Sequence, residues 1–151
     1  MRIREHMPDL KASGEWINSR EIKTVDLLMG KKPTLIYFWS VSCHLCKGAM
    51  PLINQMRNEF KDKLNVISIH TPLNKEDNDL DNIRSEAARF NLTEPLFADQ
   101  DEILSQTFQV KFVPAYFIFD EKGQLRYFQS GRNGIQTLQR RLNRILKKAE
   151  S

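Results

Sequence analysis

Hydrophobic positions along the chain follow two rhythms. Leu35–Trp39, Leu64–Ile69 and Ala115–Phe119 are largely apolar runs of β-branched and aromatic residues, the composition of strands buried within a sheet. Elsewhere apolar residues recur at helical spacing. Met50, Ile53, Met56 and Phe60 form one such stripe, and Ile135, Leu138, Leu142, Ile145 and Leu146 form another. Turn chemistry separates the segments: Gly30-Lys31-Lys32-Pro33 leads into the first run, and Asp120-Glu121-Lys122-Gly123 marks a hairpin.

In order, the pattern predicts a short strand at Glu15–Asn18, a helical turn at Thr24–Met29 and a strand at Leu35–Trp39. A helix from Lys47 to about Phe60, a strand at Leu64–Ile69 and a polar loop at Thr71–Asp79 follow. Next come a helix at Leu80–Phe90, a short strand at Pro95–Ala98 and a helix at Gln100–Phe108. Strands Ala115–Phe119 and Gln124–Gln129 form the hairpin, and a helix at Ile135–Lys148 closes the chain. Alternating strands and helices predict an α/β fold with a central mixed, mostly parallel sheet flanked by helices, a late antiparallel hairpin and a C-terminal helix. Pro51 falls inside the first long helix and should kink it.

The 151 residues, 40% of them hydrophobic, suit one domain spanning 1–151, with a core at about 33–148 and a short N-terminal extension at 1–32. The net charge of +4 is mild. Arg140–Lys148 holds five cations, but on a helix with an apolar stripe they read as a solvated face rather than a nucleic-acid or membrane patch. The opening MRIREHMPDL lacks the apolar core of a secretory signal, and no run reaches the roughly 20 apolar residues of a spanning helix. A soluble, cytoplasmic monomer binding neither nucleic acid nor membrane is expected.

The chemistry concentrates at Cys43-His44-Leu45-Cys46, where the first buried strand gives way to a helix. These are the only two cysteines, too few for a stabilising framework, so in a reducing compartment the pair reads as catalytic or metal-binding. A thiol in the first turn of a helix meets unpaired N–H groups and the positive end of the helix dipole, which favour the reactive thiolate. Cys43 is then the exposed attacking residue, and Cys46, one turn on and more buried, the resolving one. A zinc clip would need further ligands, which only His6, His44, His70 or carboxylates could supply. His44 can stabilise the Cys43 thiolate or simply face solvent; the sequence leaves both open. His70 reads as a satisfied core or loop histidine, and Lys47 as solvated. Asp77, Asp79 and Asp81 alternate as in a calcium loop. Asn82 stands where that loop needs glycine and Ala88 where it needs glutamate, so they read as loop and helix-start acids.

FWSVSCHLCK at a strand end, Pro51 five residues after Cys46, and VPAYFIFDEKGQL together resemble the thioredoxin superfamily. The long segment between Ile69 and Phe112 and the Gly-Lys-Pro lead-in are similar to its ResA/TlpA branch. The resemblance covers residues 14–148. It implies a thioredoxin-like fold and a thiol–disulfide oxidoreductase that acts on protein or small-molecule disulfides through a mixed disulfide. An external electron donor, of the thioredoxin reductase type or another dithiol, would recharge it. It also implies a cis Val113–Pro114 bond facing the cysteines, with Val113 backbone groups offered to a substrate chain. His44, Leu45, Trp39, Val113 and Pro114 form the expected set of site-tuning or substrate-facing residues. No cofactor beyond the Cys43–Cys46 disulfide is expected, and no GxGxxG supplies a dinucleotide site. Two features depart from the family: Tyr37 occupies the place of a buried aspartate six residues before the first cysteine, and Ala49 that of a glutamate three after the second. The resolving thiol's proton must then pass to water, Tyr37 or another residue. The competing readings are a metal carrier or redox-regulated binding module built on the CxxC, and a peroxidase. The Trp39-Ser40-Val41-Ser42 stretch lacks the Pro- and Thr/Ser-bearing loop the last requires.

Overall fold

The computed structural model describes residues 1–150. The elements run β1 (Glu15–Ile17), α1 (Thr24–Met29), β2 (Thr34–Trp39), α2 (His44–Glu59), β3 (Asn65–His70), α3 (Leu80–Arg89), β4 (Leu96–Ala98), α4 (Ile103–Thr107), β5 (Ala115–Phe119), β6 (Leu125–Ser130) and α5 (Ile135–Glu150). Among the described residues the strands form one six-stranded sheet in the order β1-β4-β3-β2-β5-β6.

β2 is the central strand, and its two-residue period divides the core. Leu35, Tyr37 and Trp39 face a layer made by α2, α3 and α5, among Met50, Ile53, Met56, Ile83, Leu138 and Leu142. Ile36 and Phe38 face the opposite layer, against Leu104, Phe108, Leu27 and the N-terminal segment. Both faces of β2 are dry, which explains its unbroken apolar run.

The sheet is mixed, but its parallel part is confined to β2–β3–β4. β1 lies antiparallel to β4, β5 antiparallel to β2, and β6 antiparallel to β5. The parallel share is smaller than the alternation of elements predicts. After β4 the chain re-enters the sheet beside the end where β4 stopped, and Ala115 pairs with Phe38 near the C-terminal end of β2. The ends of β2 and β3 and the start of β5 thus share one edge.

The N-terminal extension is woven into the fold. Arg4 N–H donates to the Leu125 carbonyl (2.7 Å), Leu125 N–H to Glu5 (2.9 Å), and Met7 N–H to Gly123 (2.8 Å). Met7 and Leu10 are buried. Gly123 takes φ +81° in the β5–β6 turn, as the turn requires. No helix of the described residues is long and apolar enough to cross a membrane.

Candidate active site

α2 begins three residues earlier than its composition suggests, because Cys43 is its N-cap. Cys43 is extended (φ −97°, ψ 106°), and its Sγ accepts the Cys46 N–H at 3.1 Å. A sulfur thus fills the place usually held by a serine or aspartate oxygen, satisfying an otherwise orphan donor of the first turn. Cys43 and Cys46 form a disulfide, with Cα atoms 5.3 Å apart. Cys43 is 7% exposed and Cys46 2%. Both residues are buried, and the less buried of the two, Cys43, is the one whose sulfur faces the N–H donor. Pro51 lies inside α2 and is exposed, between Met50 and Ile53, which enter the core.

The Val113–Pro114 bond is cis. Pro114 is buried and Val113 half-buried, and among the described residues the Val113 N–H and carbonyl have no hydrogen-bond partner. Gly131 closes this side: its N–H donates to the Pro114 carbonyl (3.1 Å). A Cβ placed on it would meet Pro114 Cδ at 2.8 Å and Leu45 Cδ1 at 3.7 Å. Leu45 and Pro114 thus flank one glycine, which brings the CxxC helix and the start of β5 together. Leu45 is 65% exposed and Phe112 78%, two apolar side chains left in water on segments that carry the site.

The other expected site residues divide. His44 is exposed and has no hydrogen-bond or ion-pair partner among the described residues. Lys47 is drawn to α3, with Nζ 3.6 Å from Glu86 Oε2 and over the Phe90 ring at 5.6 Å. Trp39 is no substrate contact. It is fully buried because it packs edge-on against His70, centroids 5.0 Å apart, within the α2-side core. Tyr37 is no proton acceptor either. Its hydroxyl donates to Glu94 Oε2 at 2.7 Å, and burial together with Glu94 raises its pKa well above the usual phenol value. Glu94 is itself held by Arg57 at 2.6 Å.

Two residues read from sequence as bland turn out to shape the approach to Cys43. His70 is completely buried, and its Nε2 accepts the Val41 N–H at 3.2 Å. Burial lowers its pKa to about 4, a nearby Asp77 charge only partly opposing, so the ring is neutral and Nδ1 carries the proton. Asp77, expected as a loop acid, is 4% exposed. Oδ2 accepts from Ser40 Oγ (3.0 Å), Leu73 N–H (2.9 Å) and Asn74 N–H (3.3 Å), and Oδ1 accepts from Ser42 Oγ. Burial alone would raise its pKa, but bonds from Ser42, Leu73, Ser40 and Asn74 outweigh it and hold the carboxyl below its ordinary value. Asp79, two residues on, is the N-cap of α3. Among the described residues no group of three or more His, Cys, Asp or Glu side chains converges as a metal site. A zinc clip on Cys43 and Cys46 would thus lack its remaining protein ligands.

An edge carrying a redox-capable cysteine pair at a helix N-terminus, opposite a cis proline, has close counterparts. Residues 3–128 match the model of the AhpC/TSA family. The chain is 45% identical, over 99% of its own length and all of the relative's, to the thiol-disulfide oxidoreductase YkuV of Bacillus subtilis. It is 32% identical over 89% of its length to the protein DipZ of Mycobacterium bovis, covering 20% of that longer protein. Among solved structures, a thioredoxin-like protein in the oxidised form superposes with a TM-score of 0.89 at 44% identity, covering 98% of this chain and 99% of that one.

Proposed function

This chain belongs to the AhpC/TSA family of thioredoxin-like proteins and is a thiol–disulfide oxidoreductase, and from that starting point we propose how its residues divide the work. Cys43 attacks and Cys46 resolves. The single observation that carries the assignment is the N-cap geometry: Cys43, the less buried residue of the pair, accepts the Cys46 N–H on its Sγ. In the reduced state that N–H and the helix dipole meet a thiolate, the form that attacks.

The cycle balances as two exchanges. The Cys43 thiolate attacks one sulfur of the substrate disulfide, forming a mixed disulfide and releasing the other substrate sulfur as a thiolate that takes a proton from water. Cys46, deprotonated by solvent, then attacks Cys43 Sγ, closing the intramolecular disulfide and releasing the second substrate thiol. Two electrons leave the enzyme, and an external dithiol, of the thioredoxin reductase type or another, restores them. The partners are disulfide-bearing proteins. The substrate strand pairs with the free Val113 N–H and carbonyl beside Pro114, while Leu45 and Phe112 cover its apolar side chains.

Insulin reduction driven by a dithiol tests the assignment. Wild type is expected to turn over, Cys43→Ser to lose activity, and Cys46→Ser to accumulate a mixed disulfide on Cys43 visible by intact mass. Trapping on Cys46 in Cys43→Ser, or stoichiometric metal on the purified protein with no turnover, would overturn it.

A further inference from the structure

We infer that Asp77 is the positioning residue of Cys43: its buried carboxylate, through Ser40 and Ser42, fixes the turn that presents the attacking sulfur. The inference rests on the reading of Cys43 as the attacking thiol.

The turn Trp39–Cys43 is tied at every residue. The Trp39 carbonyl accepts the Thr71 N–H (2.8 Å), and the Ser40 carbonyl accepts the Cys43 N–H (3.0 Å). Val41 N–H donates to His70 (3.2 Å), and Ser42 N–H to Ser40 Oγ (3.4 Å). Both serine hydroxyls end on Asp77, one on each oxygen. Apart from the bonds within the turn and those that Cys43 makes with Cys46 and Lys47 of its own helix, every partner comes from residues 70–77, the end of β3 and the loop after it. The Cys43 N-cap conformation is therefore held from outside its own helix as well as from within it.

Asp77 differs in this from the other buried aspartates among the described residues. Asp99 accepts from Leu104 and Ser105 N–H, and Asp120 from Lys122 and Gln124 N–H with Arg126 at 3.5 Å; each braces its own loop or hairpin. Asp77 also bonds side chains 35 and 37 residues upstream, both within three residues of Cys43. An aspartate needed only to start the 3-10 turn Lys75–Asn78 could face solvent, because Asn74 already caps that turn through the Asp77 N–H (3.2 Å). Burying the carboxylate against the serines carries a desolvation cost that local capping does not require. Its four bonds offset that cost and leave one rigid joint between the cysteine turn and the loop bearing Leu73.

The test separates position from charge. In Ser40→Ala/Ser42→Ala the carboxylate remains while the joint, and with it the Ser42 N–H bond to Ser40 Oγ, is lost, so the Cys43 sulfur loses its fixed aim at the Cys46 N–H. Alkylation of Cys43 by iodoacetamide as a function of pH, each change placed in a Cys46→Ser background, reads the thiolate directly. The midpoint is expected to move up in the double variant. In the two-cysteine protein kcat/KM for insulin is expected to fall about 5- to 10-fold. Ser42→Thr, which keeps the hydroxyl, is expected to retain the wild-type profile. Asn74→Ala, which removes the local cap alone, is expected to lower the melting temperature without moving the midpoint. Asp77→Asn is expected to reproduce the loss of rate, and if it fails to fold, the serine variants still decide. An unchanged midpoint and rate in Ser40→Ala/Ser42→Ala, whatever its melting temperature, would overturn the inference. Turnover surviving in Cys43→Ser would instead fault the assignment of the attacking thiol.

Discussion

Burial holds His70 neutral, and that has a cost that varies with pH. Its pKa in the fold is about 4, while the unfolded chain titrates near 6.5. Between those values the unfolded state takes up a proton that the folded state does not, so stability is full above pH 6.5 and falls as pH drops towards 4. The loss is on the order of 3 kcal/mol by the lower end of the window. Urea midpoints at pH 7 and pH 4.5 check this: wild type is expected to lose about 1 M between them, and His70→Gln to lose less. Parallel shifts in the two proteins would exclude His70 as the source. Two features were readable in the chain: the pairing of Cys43 with Cys46 from their place at a strand end, and the cis Val113–Pro114 bond from the resemblance of its segment. Asp77 was not. Alternating with Asp79 and Asp81 in a polar stretch, it has the pattern of a solvated loop. Its defining partners are Ser40 and Ser42, which only the parallel pairing of β2 with β3 brings near. His70 was readable as a core histidine, but not the backbone group it accepts from.

At the scale of elements, α2 is braced at two points. Arg57, in its last turn, reaches Glu94 (2.6 Å), Asn54 Oδ1 (2.7 Å) and the Asn91 carbonyl (3.2 Å), tying the helix to the α3–β4 turn. Glu94 is almost fully buried and also accepts from Tyr37, so removing its cation leaves a charge without its counter-ion. Arg57→Ala is expected to destabilise by about 3–5 kcal/mol, and Arg57→Ala/Glu94→Gln by less, in chemical denaturation. The second point is Gly131, where a methyl group would press on the rigid Pro114 ring. Gly131→Ala is expected to cost about 1–3 kcal/mol and to lower kcat/KM for protein disulfides several-fold. Alkylation of Cys43 by a small reagent should keep its wild-type rate, since the chemistry of the sulfur is untouched; slowing of both would show a wider disturbance. Helix and strand existence was legible from periodicity, and boundaries moved by a few residues. The balance of parallel and antiparallel pairing was not legible, because it depends on the end of the sheet to which the connection between β4 and β5 returns the chain, which local periodicity does not carry. Composition at Gln100–Phe108 suggests a longer helix than the five residues that form once Asp99 bonds the Leu104 and Ser105 N–H groups.

Over the whole molecule, the N-terminal extension contributes edge strand β1 and the buried Met7, Leu10 and Ile17. At about 1.5–3 kcal/mol for each fully buried side chain, these three amount to a large part of a typical domain's 5–15 kcal/mol. Deleting residues 1–17 is therefore expected to lower the urea midpoint markedly and, by baring the β4 edge, to promote self-association in sedimentation. Retained stability would show that the extension only lies over the surface. The disulfide works on a different scale. Cys43 and Cys46 are three residues apart, so their bond closes one of the smallest rings a chain can make. A polymer estimate gives such a ring about 2 kcal/mol of unfolded-state restriction, against about 4.7 kcal/mol for a 100-residue loop. Opening it frees almost none of the chain, because the fold is held by the sheet, the buried network and the extension. The molecule can therefore gain and lose two electrons many times without its architecture being at stake, as a reusable carrier must.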